Sequence, residues 1–233
     1  MTSLDGASVL VTGATGGLGA PLSRRLARAG ARLTLVARDP ERLAALAADV
    51  EGAATVAVDL TDPDAAKQAV SAAVESHGGL DGVVHAAGAV AFGPFDGTGA
   101  DVLDRLLAVN FLAPVRLLQA ALPHLDAAVA AGRQPFVVHL SAVVAEQPMA
   151  GMAAYSASKA ALTAYDTAVA RELRRRKVHL VDARPPHTET GLAGRPIAGQ
   201  APPLKPGLDP DAVAERILRG VRDDERDLPA SAF

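Results

Sequence analysis

Residues 7–19 read ASVLVTGATGGLG. The apolar, β-branched run ASVLVTG (7–13) predicts a strand buried on both faces. Glycines follow at 13, 17 and 19, and LGAPLSRRLARAG (18–30) then has a helical period closed by Gly30. A strand that turns through glycines into a helix lets backbone approach a bound group closely. It also aims the free N–H groups of the first helical turn at that group, which suits a pyrophosphate. Glycines in a turn are a weak signal alone, because turns need them anyway. Their place directly after the first strand gives them weight. No lysine follows the last glycine, so this is not a P-loop.

Outward from this stretch, Val-rich runs alternate with longer Ala- and Leu-rich segments. Further strands are predicted at 32–38, 54–60, 81–88, 136–142 and 178–185. Helices are predicted at 40–50, 63–77, 99–131, 153–176 and 210–221. Strands that read as apolar runs and alternate with helices predict a doubly wound parallel sheet with helices on both faces, a three-layer α/β/α fold. The whole of 1–233 reads as a single domain. The Gly- and Pro-rich segment 188–208, TETGLAGRPIAGQAPPLKPGL, is too long for an ordinary connection and predicts a flexible substrate lid.

Composition excludes several classes. The net charge is −3 with both signs interspersed, which gives no electrostatic case for nucleic acid or an anionic membrane. The basic run RELRRRK (171–177) reads as the polar face and last turn of a helix. There is no cysteine, in keeping with a cytoplasmic protein, and the N-terminus does not read as a signal peptide. No run of about 18 apolar residues occurs, so no membrane-spanning helix is expected. The six histidines lack metal-ligand spacing, so no metal site is expected.

The second strand closes LVARDP. Ala37 stands where an acidic residue would bond a ribose 2′-hydroxyl, and Arg38 follows, a choice that favours NADP over NAD. Asp39 reads as a helix N-cap before Pro40. In AAYSASKAAL (153–162), Tyr155 and Lys159 lie four apart and share one helix face. Lysine is rare in this chain, since 19 of its 23 basic residues are arginine. A tyrosine titrates near 10 unaided, and an adjacent ammonium is expected to lower that value.

Taken together, these stretches resemble the short-chain dehydrogenase/reductase family, in its compact single-domain branch, along essentially the whole chain. TGATGGLG (12–19) matches that family's TGxxxGxG turn, and Asp59 in VDL matches its adenine-contacting aspartate. HAAG (85–88) stands where the family has NNAG, and PPHTET (185–190) replaces its PGxxxT. The resemblance implies a Rossmann-type fold and a catalytic tetrad of Asn110, Ser141, Tyr155 and Lys159. Tyr155 would exchange a proton with the substrate oxygen, Ser141 would bond that oxygen, and Lys159 would tune Tyr155 and hold the nicotinamide ribose. Asn110, the chain's one asparagine, would support a proton-relaying water. It further implies an NADP(H) site of Gly13, Thr15, Gly16, Gly17, Leu18, Gly19, Arg38, Asp59, Leu60, Ala87, Gly88, Tyr155, Lys159, Pro185, Thr188 and Thr190.

The expected function is carbonyl–alcohol interconversion on a medium-sized, mainly apolar substrate. Phe92, Phe95, Val143, Met149, His187 and Leu192 are expected to line its pocket. The alternative is a non-catalytic NADP-binding sensor or scaffold of the same fold. The surplus of apolar positions on 99–131 and 153–176 predicts a homodimer, and the absence of a VDGG-type final strand argues against a tetramer.

Overall fold

The computed structural model describes residues 2–233. Seven strands form one parallel sheet in the order β3-β2-β1-β4-β5-β6-β7. They are β1 (Ser8–Thr12), β2 (Arg32–Ala37), β3 (Ala54–Ala57), β4 (Gly82–His85), β5 (Phe136–Leu140), β6 (His179–Ala183) and β7 (Asp227–Leu228). The helices are α1 (Gly19–Arg28), α2 (Pro40–Asp49), α3 (Ala65–His77), α4 (Ala100–Leu107), α5 (Ala113–Ala130), α6 (Ala153–Arg175) and α7 (Pro210–Arg222). The doubly wound α/β reading holds, and one sheet runs through the chain as a single domain.

Side chains that alternate along each strand feed two cores. On one face Leu22, Leu26, Leu43, Leu46 and Ile217 pack over Val9, Val11 and Val138. On the other, Val70, Leu117, Leu125 and Leu173 pack over Leu10, Val83 and Val137. Each buried leucine contributes about 1.5–3 kcal/mol. Fully buried Ala69, Ala73 and Ala121 let the helices of this second face sit close, which is what so much alanine is for.

Two expectations need correction. The sequence reading placed no strand after 178–185, yet β7 pairs with the end of β6. Two residues carry no readable period. The strand is held instead by buried Arg184, whose guanidinium binds Glu146, Asp182 at 2.5 Å and Asp227 at 2.7 Å. The second correction concerns 100–130, where α4, a five-residue π-helical turn (Ala108–Leu112) and α5 run on continuously. This stretch is long and apolar enough to cross a membrane. No single apolar run is long, because Asp101, Asp104, Arg105, Arg116 and Asp126 interrupt it. Its inner face, including Leu117, Leu118 and Leu125, packs in the second core.

Strand order reverses direction between β1 and β4, where connections leave for opposite faces. A crevice forms outside the carboxyl ends of the strands at such a point.

Candidate active site

A cleft of about 780 Å³ occupies that crevice. At its base the glycine turn is packed tightly. Gly13 has φ +62°, and a Cβ there would lie 2.5 Å from the Ala87 nitrogen. A Cβ on Gly17 would overlap the Thr190 backbone, and one on Gly19 would overlap the Gly13 carbonyl. Thr15, Gly16, Gly17 and Leu18 line the cleft, while Gly19 lies behind them and does not. Helix α1 begins there with no side-chain cap and no acid in its first turn. The Ala20 N–H bonds the Gly16 carbonyl at 3.0 Å and Pro21 has no N–H, which leaves the Leu18 and Gly19 N–H groups for an anion. These residues fit a dinucleotide: close backbone approach at one point and a ready site for its pyrophosphate.

One end of the cleft is lined by Arg38, Asp59 and Leu60, as expected, and by Arg42 and Arg105, which the sequence reading missed. Asp39 caps α2, accepting from the Glu41 and Arg42 nitrogens at 3.0 and 3.1 Å. That leaves Arg38 as the first free charge after β2. Arg42, one helical turn on, donates to the Thr15 carbonyl at 2.7 Å. Its spacing from Arg38 was readable; the approach of Arg105 from α4 was not. Asp59 accepts from the Thr61 nitrogen and hydroxyl at 3.0 and 2.8 Å and sits 3.4 Å from Arg105. Burial favours its neutral form, but the Thr61 bonds, Arg105 and Arg38 together hold it below the usual carboxylate range.

Helix α6 delivers Tyr155 and Lys159, both buried, to the other end, with Ala87, Gly88, Pro185, Thr188 and Thr190 around them. The Lys159 ammonium donates to the Leu140 carbonyl at 2.7 Å. Burial pushes the Tyr155 hydroxyl up to about 12. Burial likewise pulls Lys159 down to about 8, against the opposing pull of Asp182 and Asp166. The expected lowering of the tyrosine by its lysine is therefore not what the protein's own groups produce. Desolvation of the phenolate dominates.

Asn110 lies in the π-helical turn, buried and off the cleft lining. Its amide accepts from the Ala89 nitrogen and donates to the Ala89 carbonyl, both at 2.9 Å, and donates to Ser158 Oγ at 2.9 Å. One of its N–H groups thus braces the loop after β4, and the other ties that brace to Ser158 on α6. His85, the last residue of β4, bonds Thr12 Oγ1 of the neighbouring strand β1 at 2.8 Å.

Ser141, at the exit of β5, lines the same cleft, and its buried hydroxyl has no hydrogen-bond partner among the described residues.

Phe92, Val143, Met149, His187 and Leu192 line the cleft beyond Tyr155. Phe95 does not: it is 83% exposed, on a short turn that Pro94 directs outward. The 188–208 segment is closed at its root by the Thr188–Leu208 bridge. Its middle is bonded to the rim through Ile197 N–Val90 O at 2.9 Å and Phe92 N–Ala198 O at 3.0 Å. Among the described residues no cluster of metal-ligating side chains occurs.

Residues 7–200 match the short chain dehydrogenase family model. The chain is a short-chain dehydrogenase/reductase. An uncharacterized oxidoreductase of Methylorubrum extorquens is 30% identical, over 97% of this chain and 94% of that one. Among solved structures, a short chain dehydrogenase of Burkholderia cenocepacia in complex with NADP is 30% identical with a TM-score of 0.84, covering 99% of each chain. A 3-ketoacyl-(acyl-carrier-protein) reductase of Brucella melitensis complexed with NADH is 24% identical and shares the fold, with a TM-score of 0.88 over 99% of each chain. As a short-chain dehydrogenase/reductase, this chain keeps the tyrosine and lysine on α6, with Ser141 lining the same cleft.

Ser141→Ala tests the role expected of this hydroxyl. A bond to the substrate oxygen would make the loss of turnover about 10²–10³-fold, as follows removal of an oxyanion donor. Steady-state rates on one good substrate give the number, and a change below about tenfold would take that role from Ser141.

Proposed function

We propose that this oxidoreductase uses NADP(H) to interconvert a carbonyl and an alcohol, with Tyr155 as the proton donor and acceptor. The observation that carries the reading is the placement of Tyr155 and Lys159 on one buried face of α6, in the same cleft that the glycine turn and Arg38 line. Bound nicotinamide would supply the hydride. The protein's part is position and proton. Thr188, Thr190 and Pro185 would hold the carboxamide side, and Lys159 would bond the ribose hydroxyls. A phenol held near 12 is protonated at neutral pH. It is still a stronger acid than the alcohol being formed, so it can donate to the carbonyl oxygen as reduction proceeds. Removal of a proton from an alcohol needs the phenolate, so the oxidative direction is expected to gain rate as pH rises.

Phe92, Val143, Met149 and Leu192 give the substrate end an apolar wall, and Arg195 on the lid segment is the one arginine lining it there. Such a pocket selects by shape and desolvation. It supports a medium-sized, uncharged, largely apolar ketone or aldehyde. Loss of NADPH absorbance with a panel of ketones and aldehydes tests this directly. NADPH binding with no turnover across the panel would favour a sensor or scaffold instead.

NADP preference is assigned to Arg38. A charge-assisted bond to the 2′-phosphate contributes about 1.5–3 kcal/mol. Arg38→Ala is therefore expected to cut discrimination of NADPH over NADH roughly ten- to hundredfold, a ratio read by fluorescence titration. Equal binding of both by the unmodified protein would remove this reading. The proposal also includes a cytoplasmic homodimer, since Leu103 and Leu112 leave apolar surface exposed on the α4–α5 stretch. Light scattering that gives a monomer mass would contradict the dimer.

A further inference from the structure

Beneath Lys159 lies a buried polar cluster that the proposed chemistry does not use. His85, His139 and Asp182 stand in register on β4, β5 and β6. The His85 and His139 rings meet edge to face with centroids 6.2 Å apart. From α6, Asp166 reaches the same layer and bonds His139 Nδ1 at 2.7 Å, with the two side chains 1% and 0% exposed. Asp166 is seven residues after Lys159, two turns along the same face of one helix, about 10 Å of rise.

Burying an ammonium is costly unless an opposite charge compensates it. Among the described residues Lys159 has no ion pair within 4 Å, and its one hydrogen bond goes to a backbone carbonyl. The charged and titratable groups facing it from the surrounding elements are Tyr155 and Asp166 on α6, His85 on β4, His139 on β5, and Asp182 with Arg184 at the end of β6. Asp182 is already bound by Arg184, which also takes Glu146 and Asp227. Asp166 has no cation of fixed charge as a partner, and its second carboxylate oxygen is buried and unbonded.

We propose that Asp166, fixed by His139, is a positioning residue for Lys159: beside the Arg184-bound Asp182, it is a buried counter-charge that helps keep this lysine an ammonium at neutral pH. His139 holds the carboxylate oriented and stabilises its ionised form. Burial raises the Asp166 carboxyl, and the hydrogen bond to His139 opposes that rise. This deepens the proposed function, since the lysine's service to the ribose and to Tyr155 depends on that charge.

Four lysines make the test direct. In protein labelled with ¹³C at lysine Cε, the Lys159 resonance is assigned by its loss in Lys159→Met, and its titration is followed from pH 6 to 11. The unmodified midpoint is expected near 8. Asp166→Asn keeps the side chain's size and removes its charge. At an effective dielectric near 20 it is expected to move the midpoint down by about one unit, and Asp166→Glu to restore most of it. A purely structural role for Asp166 would leave the midpoint where it was, and that result overturns the proposal. Should Asp166→Asn fail to fold, the unmodified protein still decides. The Asp166 carboxyl carbon must resonate as a carboxylate at pH 7, and a protonated Asp166 there overturns the proposal. NADPH titrations across the same pH range keep the two readings apart. A midpoint that falls while the alkaline limb of NADPH binding stays fixed supports the counter-charge and counts against the lysine's part in holding cofactor.

Discussion

Tyr155→Phe is expected to lower NADPH-dependent reduction by about 10²–10⁴-fold, the range that a positioned general acid supplies. The phenylalanine ring remains among Phe92, Leu106 and Val144, so the fold and the cleft wall persist. The dissociation constant of NADPH is expected to change little, because the hydroxyl acts on the substrate oxygen. The effect should appear equally in kcat and kcat/KM, as when a group acts only in the transition state. Single-turnover reduction with saturating NADPH gives the number. A variant within tenfold of the unmodified protein would exclude the phenol as the proton donor, whatever else in the cleft proved right.

Gly13→Ala is expected to abolish NADPH binding and to destabilise the protein by about 2–4 kcal/mol. Two effects combine at this position. The backbone has φ +62°, and the added methyl would lie 2.5 Å from the Ala87 nitrogen. The ends of β1 and β4 must then part, which opens the floor of the cleft. Gly52 separates the two effects, since it has φ +75° with nothing near its absent Cβ. Gly52→Ala carries the conformational strain alone, about 1 kcal/mol, and should bind NADPH normally. Thermal unfolding distinguishes them: at this length each kcal/mol moves Tm by roughly 2–4 °C. Equal losses in both variants would mean that the close approach of Ala87 contributes nothing.

Much of this architecture was legible because it rests on local rules. The strands β1, β2, β4, β5 and β6 lie within the apolar runs that predicted them, and Asp39 with Pro40 marked the start of α2 as caps do. Tyr155 and Lys159 were legible because helical spacing alone puts them on one face. What escaped depends on how chain leaves an element. Strand β3 ends at Ala57, not residue 60, because Asp59 turns back onto Thr61 and takes the chain out of the sheet. Phe95 looked like pocket lining from its place after β4, but a proline-led turn carries it into solvent. The pairing of Asp166 with His139 joins residues 27 apart through the fold, with no local pattern to announce it.

The π-helical turn at Ala108–Leu112 changes what a small insertion or deletion means in this region. An ordinary helix advances about 100° per residue, and a π turn accommodates one residue more than an α turn. Excising a single residue here would let the turn close as an ordinary α turn, with α4 and α5 close to their present orientation. Loss of the extra residue would carry Asn110 away from Ala89, where both of its backbone bonds are made at 2.9 Å. The loop after β4 would lose its brace, and Val109 of the same turn would shift at the cleft wall. Length variation that the surface turn at 51–52 or the lid segment can absorb is thus forbidden across five residues of AVNFL, where the count itself, more than the chemistry of each side chain, is under constraint.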